Sequence, residues 1–156
     1  MAFICYCGLH AGLRKEEIIE ARPDWFDLRA KLLHVQNTDT FTVKDRDNRT
    51  IPLTDEFVDW LQAWPMPGPY CLAPHARKGK HRYRWDFRKQ WEGLMEDSGL
   101  PSFTFHDLRR TFASLHVSAG TSIYKVAKWL GDEVRVVEES YGHLIPQDLE
   151  INKAWE

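Results

Sequence analysis

Two side chains able to do chemistry stand three apart in Phe105-His-Asp-Leu-Arg-Arg-Thr-Phe-Ala-Ser114. Residues three apart share a helix face, so His106 and Arg109 point together. Phe105, Leu108, Phe112 and Leu115 make an apolar stripe that predicts a packed face on the other side. An imidazole moves protons near neutral pH, and a guanidinium offers a planar fork of donors to an anion. The pair alone reads as a solvated helix face. Lys128-Trp-Leu-Gly-Asp132 and Glu139-Ser-Tyr-Gly-His143 follow it in the chain.

These segments together resemble the tyrosine recombinases, the phage-integrase family of DNA strand exchangers. In that family a His-x-x-Arg helix, a Leu-Gly-His segment and a nucleophilic tyrosine line one phosphate-binding pocket. The resemblance assigns those roles to His106, Arg109 and Tyr141, and the sequence departs from the pattern at Asp132, where the family has histidine. Ala11-Gly-Leu-Arg14, with Glu17 further on, resembles the family's first-arginine box and makes Arg14 the second guanidinium. The family also carries a lysine between the second and third strands of a small sheet, ahead of a Val-Pro-Leu-like end. Ile51-Pro-Leu53 is that end here, and counting back eight from Pro52 lands on Lys44. An exposed hairpin lysine is the plain alternative.

The resemblance runs from Ala11 to His143 and implies cutting of one DNA strand through a 3′-phosphotyrosine, then rejoining. It implies no metal and no nucleotide cofactor, since arginines supply the charge and the phosphotyrosine keeps the bond energy. The implied partners are double-stranded DNA and, for the full-length protein, further copies in a synaptic tetramer. Residues 1–156 are expected to form a single catalytic domain without the family's amino-terminal core-binding domain. Two other accounts stay open: a catalytically degenerate integrase that binds DNA or a partner, and a type IB topoisomerase-like enzyme. Asp132 itself could orient an arginine or His106, or could cap the helix that begins at Glu133.

Composition sets the frame. A chain of 156 residues is long enough for one well-buried core. No apolar run approaches the roughly 20 residues that span a bilayer, and no export leader opens the chain, so a cytoplasmic protein without membrane contact is expected. Cys5, Cys7 and Cys71 fit reduced thiols. The net charge of −2 gives nucleic-acid binding no support over the whole chain. The segment His75–Arg84 differs: Arg77, Lys78, Lys80, Arg82 and Arg84 are interleaved with Tyr83, as in a DNA-facing loop, although a solvated loop has the same composition.

The elements that must position these residues follow from periodicity and breakers. Helices are expected over Met1–Leu9, Arg14–Ala21, from Thr54 to Trp64, over Asp86–Ser98, from the His-x-x-Arg segment to Gly120, and from Thr121 or Ser122 to Gly131. Glu133–Tyr141 and a short piece from Pro146 to Trp155 complete them. Leu32–Gln36, Phe41–Lys44 and Arg49–Ile51 read as three strands. The expected fold is mainly α with a small three-stranded antiparallel sheet, as in the tyrosine-recombinase catalytic domain.

Overall fold

The computed structural model describes residues 1–38, 41–43, 48–65, 68–72 and 87–146. Helix α1 (Ala2–Ala11) buries Phe3, Ile4, Cys7 and Ala11 and packs along α5 (Phe105–Ser118). It stops at Gly12, whose φ of 59° suits glycine. A Cβ there would meet Phe112 Cδ1 at 2.7 Å and Leu130 Cδ2 at 2.9 Å, so the chain turns in direct contact with the core. Short α2 (Lys15–Glu20) follows, with Arg14 at its N-cap.

Strands β1 (Phe26–Asp27), β2 (Leu32–Val35) and β3 (Arg49–Pro52) form an antiparallel sheet in the order β1-β2-β3. The sheet is three-stranded as expected, and β2 and β3 fall where the sequence placed strands, but the remaining expected strand does not form over its described residues. Phe41–Val43 form no strand, because their backbone groups bond elsewhere: Phe41 N–H donates to Thr38 Oγ1 and Val43 N–H to Asn37 Oδ1. The third strand is instead Phe26–Asp27, too short to show any alternation in sequence. Leu33, Val35 and Ile51 turn inward from the sheet.

Thr54 accepts from the Phe57 N–H and starts α3 (Asp55–Ala63), whose acidic first turn suits the helix dipole. Trp60 of α3 and Trp64 just beyond it stack on Tyr6 and Phe3 of α1, with centroids 4.4 and 5.7 Å apart. Helix α4 (Arg88–Ser98) buries Trp91 and ends at Gly99. Two short helices, α6 (Ile123–Leu130) and α7 (Val134–Tyr141), pack on each other and on α5.

One expectation about α5 is overturned. Leu115 is 59% exposed, whereas Arg109 is only 4% exposed and shares the buried face with Phe112, Ala113 and Val117. The helix is sandwiched: Phe105 and Leu108 meet α1 at Gly8, while the Arg109–Phe112 side meets the ends of α1 and α6. Lys44, the basic segment with Arg77, Lys78, Lys80, Arg82 and Arg84, and the expected last helix beyond Pro146 all lie outside the described residues. Among the described residues, no helix is long and apolar enough to cross a membrane.

Candidate active site

The site is built on the C-terminal end of α6. Gly131 takes the left-handed conformation, and the Asp132 N–H reaches back to the Ala127 carbonyl at 3.1 Å, a Schellman-type stop. A helix end leaves carbonyls without intrahelical donors. Here arginines satisfy two of them and the carbonyl of the glycine that follows. Arg49 Nε donates to the Trp129 carbonyl at 2.8 Å, Arg109 Nη2 to that of Leu130 at 2.9 Å, and Arg14 Nη2 to that of Gly131. Cations at the negative end of the helix dipole are stabilised there. Arg109 Nη1 also donates to the Gly12 carbonyl, which ties the end of α1 to the same point.

Asp132 projects from this turn. Its Oδ1 accepts from Arg14 Nη2 at 2.6 Å and its Oδ2 from Arg109 Nη2, so one carboxylate bridges both guanidiniums. Burial pushes the Asp132 carboxyl up, but the charges and hydrogen bonds of Arg109 and Arg14 outweigh it and hold the group below the ordinary carboxylate value. Glu133 is the N-cap of α7 and makes no side-chain cap bond. Both Asp132 oxygens are thus bonded to arginines.

Behind Arg14 lies a second carboxylate. Glu17 is buried, accepts the Arg14 backbone N–H at 2.7 Å, and takes both terminal nitrogens of Arg49 at 2.8 and 2.7 Å. Burial raises the Glu17 carboxyl, and the Arg49 and Arg14 bonds more than reverse this. A buried charge is tolerated only when paired and hydrogen-bonded. Arg49–Glu17–Arg14–Asp132–Arg109 satisfies that condition as one continuous chain of ion pairs.

His106, three residues before Arg109 on α5, and Tyr141, at the end of α7, are the other candidate groups. Partial burial, then the charges of Arg109 and Arg110, pull the His106 imidazole below its ordinary value, so near neutral pH it is mainly a neutral proton acceptor. Burial raises the Tyr141 phenol, opposed by Arg110 and Arg109. The phenol therefore carries its proton at neutral pH and must give it up during any attack. The charge of Arg109 acts on His106, Asp132 and Tyr141 alike. Among the described residues, no group of three or more His, Cys, Asp or Glu could hold a metal ion.

The phage integrase family model matches residues 3–147, nearly the whole chain. This chain belongs to the phage integrase family. The integrase of Salmonella phage P22 is 35% identical over 77 residues, which are 49% of this chain and 19% of that integrase. This integrase-family chain thus matches about a fifth of the length of that relative. The catalytic domain of bacteriophage HP1 integrase is similar with a TM-score of 0.65 and 23% identity, covering 99% of this chain and 80% of that one. XerA recombinase gives 0.68 at 19% identity, covering 96% and 54%. The Tn1549 transposon integrase, solved with transposon right-end DNA, gives 0.69 at 17% identity, covering 97% and 56%. The fold is that of tyrosine-recombinase catalytic domains: mainly helical with one small antiparallel sheet.

Within this integrase-family fold, Arg14, Arg109 and Asp132 are joined by hydrogen bonds, Arg14 and His106 line one cavity, and Tyr141 ends α7, which packs on α5. Lys44 belongs to the connection between β2 and β3, outside the described residues. Sequence reasoning missed Arg49. Its signal was register: Arg49 has the parity of inward-facing Ile51 and Leu53, and a base on an inward register calls for a buried acid.

Proposed function

We propose that this chain is the catalytic domain of a site-specific DNA recombinase that cuts and rejoins strands through a phosphotyrosine at Tyr141. One observation carries the proposal: Arg14 and Arg109 converge on a single carboxylate at the end of α6, with His106 and Tyr141 around the same charges. A phosphoryl group in transfer is stabilised mainly by positioning and by positive charge on its nonbridging oxygens. Two fixed guanidiniums supply both. The Tyr141 oxygen attacks phosphorus and its proton passes to His106. The bond to the 5′-oxygen breaks, and that oxygen takes a proton from Lys44. Reversal by a 5′-hydroxyl from another strand completes exchange and regenerates the phenol.

Double-stranded DNA is the proposed partner, with Arg77, Lys78, Lys80, Arg82 and Arg84 contacting its backbone and the work done in the cytoplasm. Strand exchange needs several copies on two duplexes, with an amino-terminal domain closing around the far side of the DNA. A nicked suicide duplex tests the proposal, since loss of the short fragment after cutting traps a denaturant-stable adduct. Recombinant products from paired duplexes distinguish exchange from relaxation by a monomer.

For Lys44 the expected outcome concerns the leaving group. Lys44→Ala should cut ordinary DNA poorly and recover on a duplex whose bridging 5′-oxygen is sulfur, because a thiolate leaves without a proton. Equal impairment on both duplexes would remove Lys44 from this role.

Asp132 carries the departure from the family pattern. A carboxylate is an acceptor only, and at ~4 Å from a phosphate it would repel by about 4 kcal/mol at an effective dielectric of 20. Its value lies in holding Arg14 and Arg109, as outer carboxylates hold metal-bound histidines. Asp132→Asn should therefore lower cleavage about 10- to 100-fold. Unchanged cleavage would contradict the orienting role, and a large gain with Asp132→His would favour a second reading, a partly degenerate site.

A further inference from the structure

We propose that Arg49 is a positioning residue for the arginine pocket, an inference that rests on the phosphoryl-transfer reading above. The guanidinium is buried and makes three contacts that join otherwise separate parts of the fold. Both terminal nitrogens grip Glu17, whose Oε2 holds the Arg14 backbone N–H and whose Oε1 lies 3.3 Å from Arg14 Nη1. Its Nε holds the Trp129 carbonyl. Its side chain lies flat against Gly131, where an added Cβ would stand 3.2 Å from Arg49 Cδ.

One side chain thus fixes Arg14 through Glu17 and fixes the turn from which Asp132 reaches Arg14 and Arg109. It also opens β3, the strand that follows the connection bearing Lys44. The start of β3, α2 and the end of α6 cannot shift independently while Arg49 is in place. A bidentate, planar fork is needed for this, because lysine carries one point charge and cannot span both Glu17 oxygens and a carbonyl. Arg49 itself touches neither Arg109, Tyr141 nor His106 among the bonds described, so its effect on the reaction passes through Glu17, Arg14 and the α6 turn.

Purely structural and positioning roles separate experimentally. Arg49→Met leaves Glu17 short of a partner and risks unfolding, so two further variants are used: Arg49→Lys, and Glu17→Gln with Arg49→Met, which removes both buried charges together. Each full-length variant is compared with the native protein for melting temperature, DNA affinity and single-turnover cleavage of a nicked suicide duplex. The double variant should melt closer to the native protein than Arg49→Met does, and bind DNA within about twofold. Cleavage should nevertheless fall about tenfold in Arg49→Lys and up to about a hundredfold in the double variant, the range expected when a supporting shell is lost. The defect should shrink on a duplex with a methylphosphonate at the scissile position, where no nonbridging charge awaits Arg14. Native cleavage rates in a folded double variant, a loss confined to DNA affinity, or an equal defect on both duplexes would overturn the inference. A native protein that forms no adduct at all would overturn the phosphotyrosine reading and this inference with it.

Discussion

Arg109→Ala is expected to lower single-turnover cleavage about 10²–10³-fold, the loss typical of removing one preorganised donor from a developing negative charge. Arg109 lies at the junction of α1, α5 and α6: it holds the Gly12 and Leu130 carbonyls and one oxygen of Asp132. Alanine would leave these acceptors without their donor and Asp132 with half its compensation. Breaking a buried pair from one side costs about 3–5 kcal/mol, a large part of a domain's stability. The rate must therefore be read in a folded protein. Arg109→Lys keeps the charge and loses the fork, so it should melt nearer the native value and still cleave at least about tenfold more slowly, since one positioning bond to a charged group is worth about 1.5–3 kcal/mol. Near-native cleavage by the folded lysine variant would show that Arg109 serves the fold and not the phosphate.

The candidate site was more open to view in the sequence than the packing was. His106-x-x-Arg109, the box ending in Arg14 and the tyrosine at 141 are each short, local patterns, and local patterns survive in a linear string. The burial of Arg109 was not local. Phe105, Leu108 and Phe112 suggested one packed face opposite the charged pair, yet α5 is covered on two sides, and the second cover comes from the distant ends of α1 and α6. The sheet shows the same limit. Its pairing of Leu33 with Ile51 follows the apolar alternation, but Phe26–Asp27 is only two residues long and joins because the turn before β2 brings it alongside. Phe41–Val43 has strand-like composition and loses its ladder to the side chains of Asn37 and Thr38. Asp132 left two roles open in sequence because a carboxylate suits a cap and an ion pair equally, and its bonds to Arg14 and Arg109 depend on chain segments far from it in sequence. Glu17 was visible as part of a box, but its buried partner Arg49 lies across the fold, on a strand whose inward parity was the only sign of it.

Tyr141→Phe is expected to abolish covalent attachment entirely, because the ring survives and the attacking oxygen does not. The substitution should leave the fold intact: Tyr141 is half-buried at the end of α7 and packed against the core. Its phenol is held above the ordinary value by burial, against the pull of Arg110 and Arg109, so attack requires proton loss to a neighbour as the bond to phosphorus forms. His106, held neutral near pH 7, stands among the same charges. The decisive measurement is to trap the native full-length protein on a nicked suicide duplex, digest the denatured adduct, and locate the nucleotide-bearing peptide by mass spectrometry. A single modified peptide is expected, with the DNA on Tyr141 through a 3′-phosphate, and no adduct from Tyr141→Phe. An adduct that persists in Tyr141→Phe, or one mapped to another residue of the native protein, would contradict it.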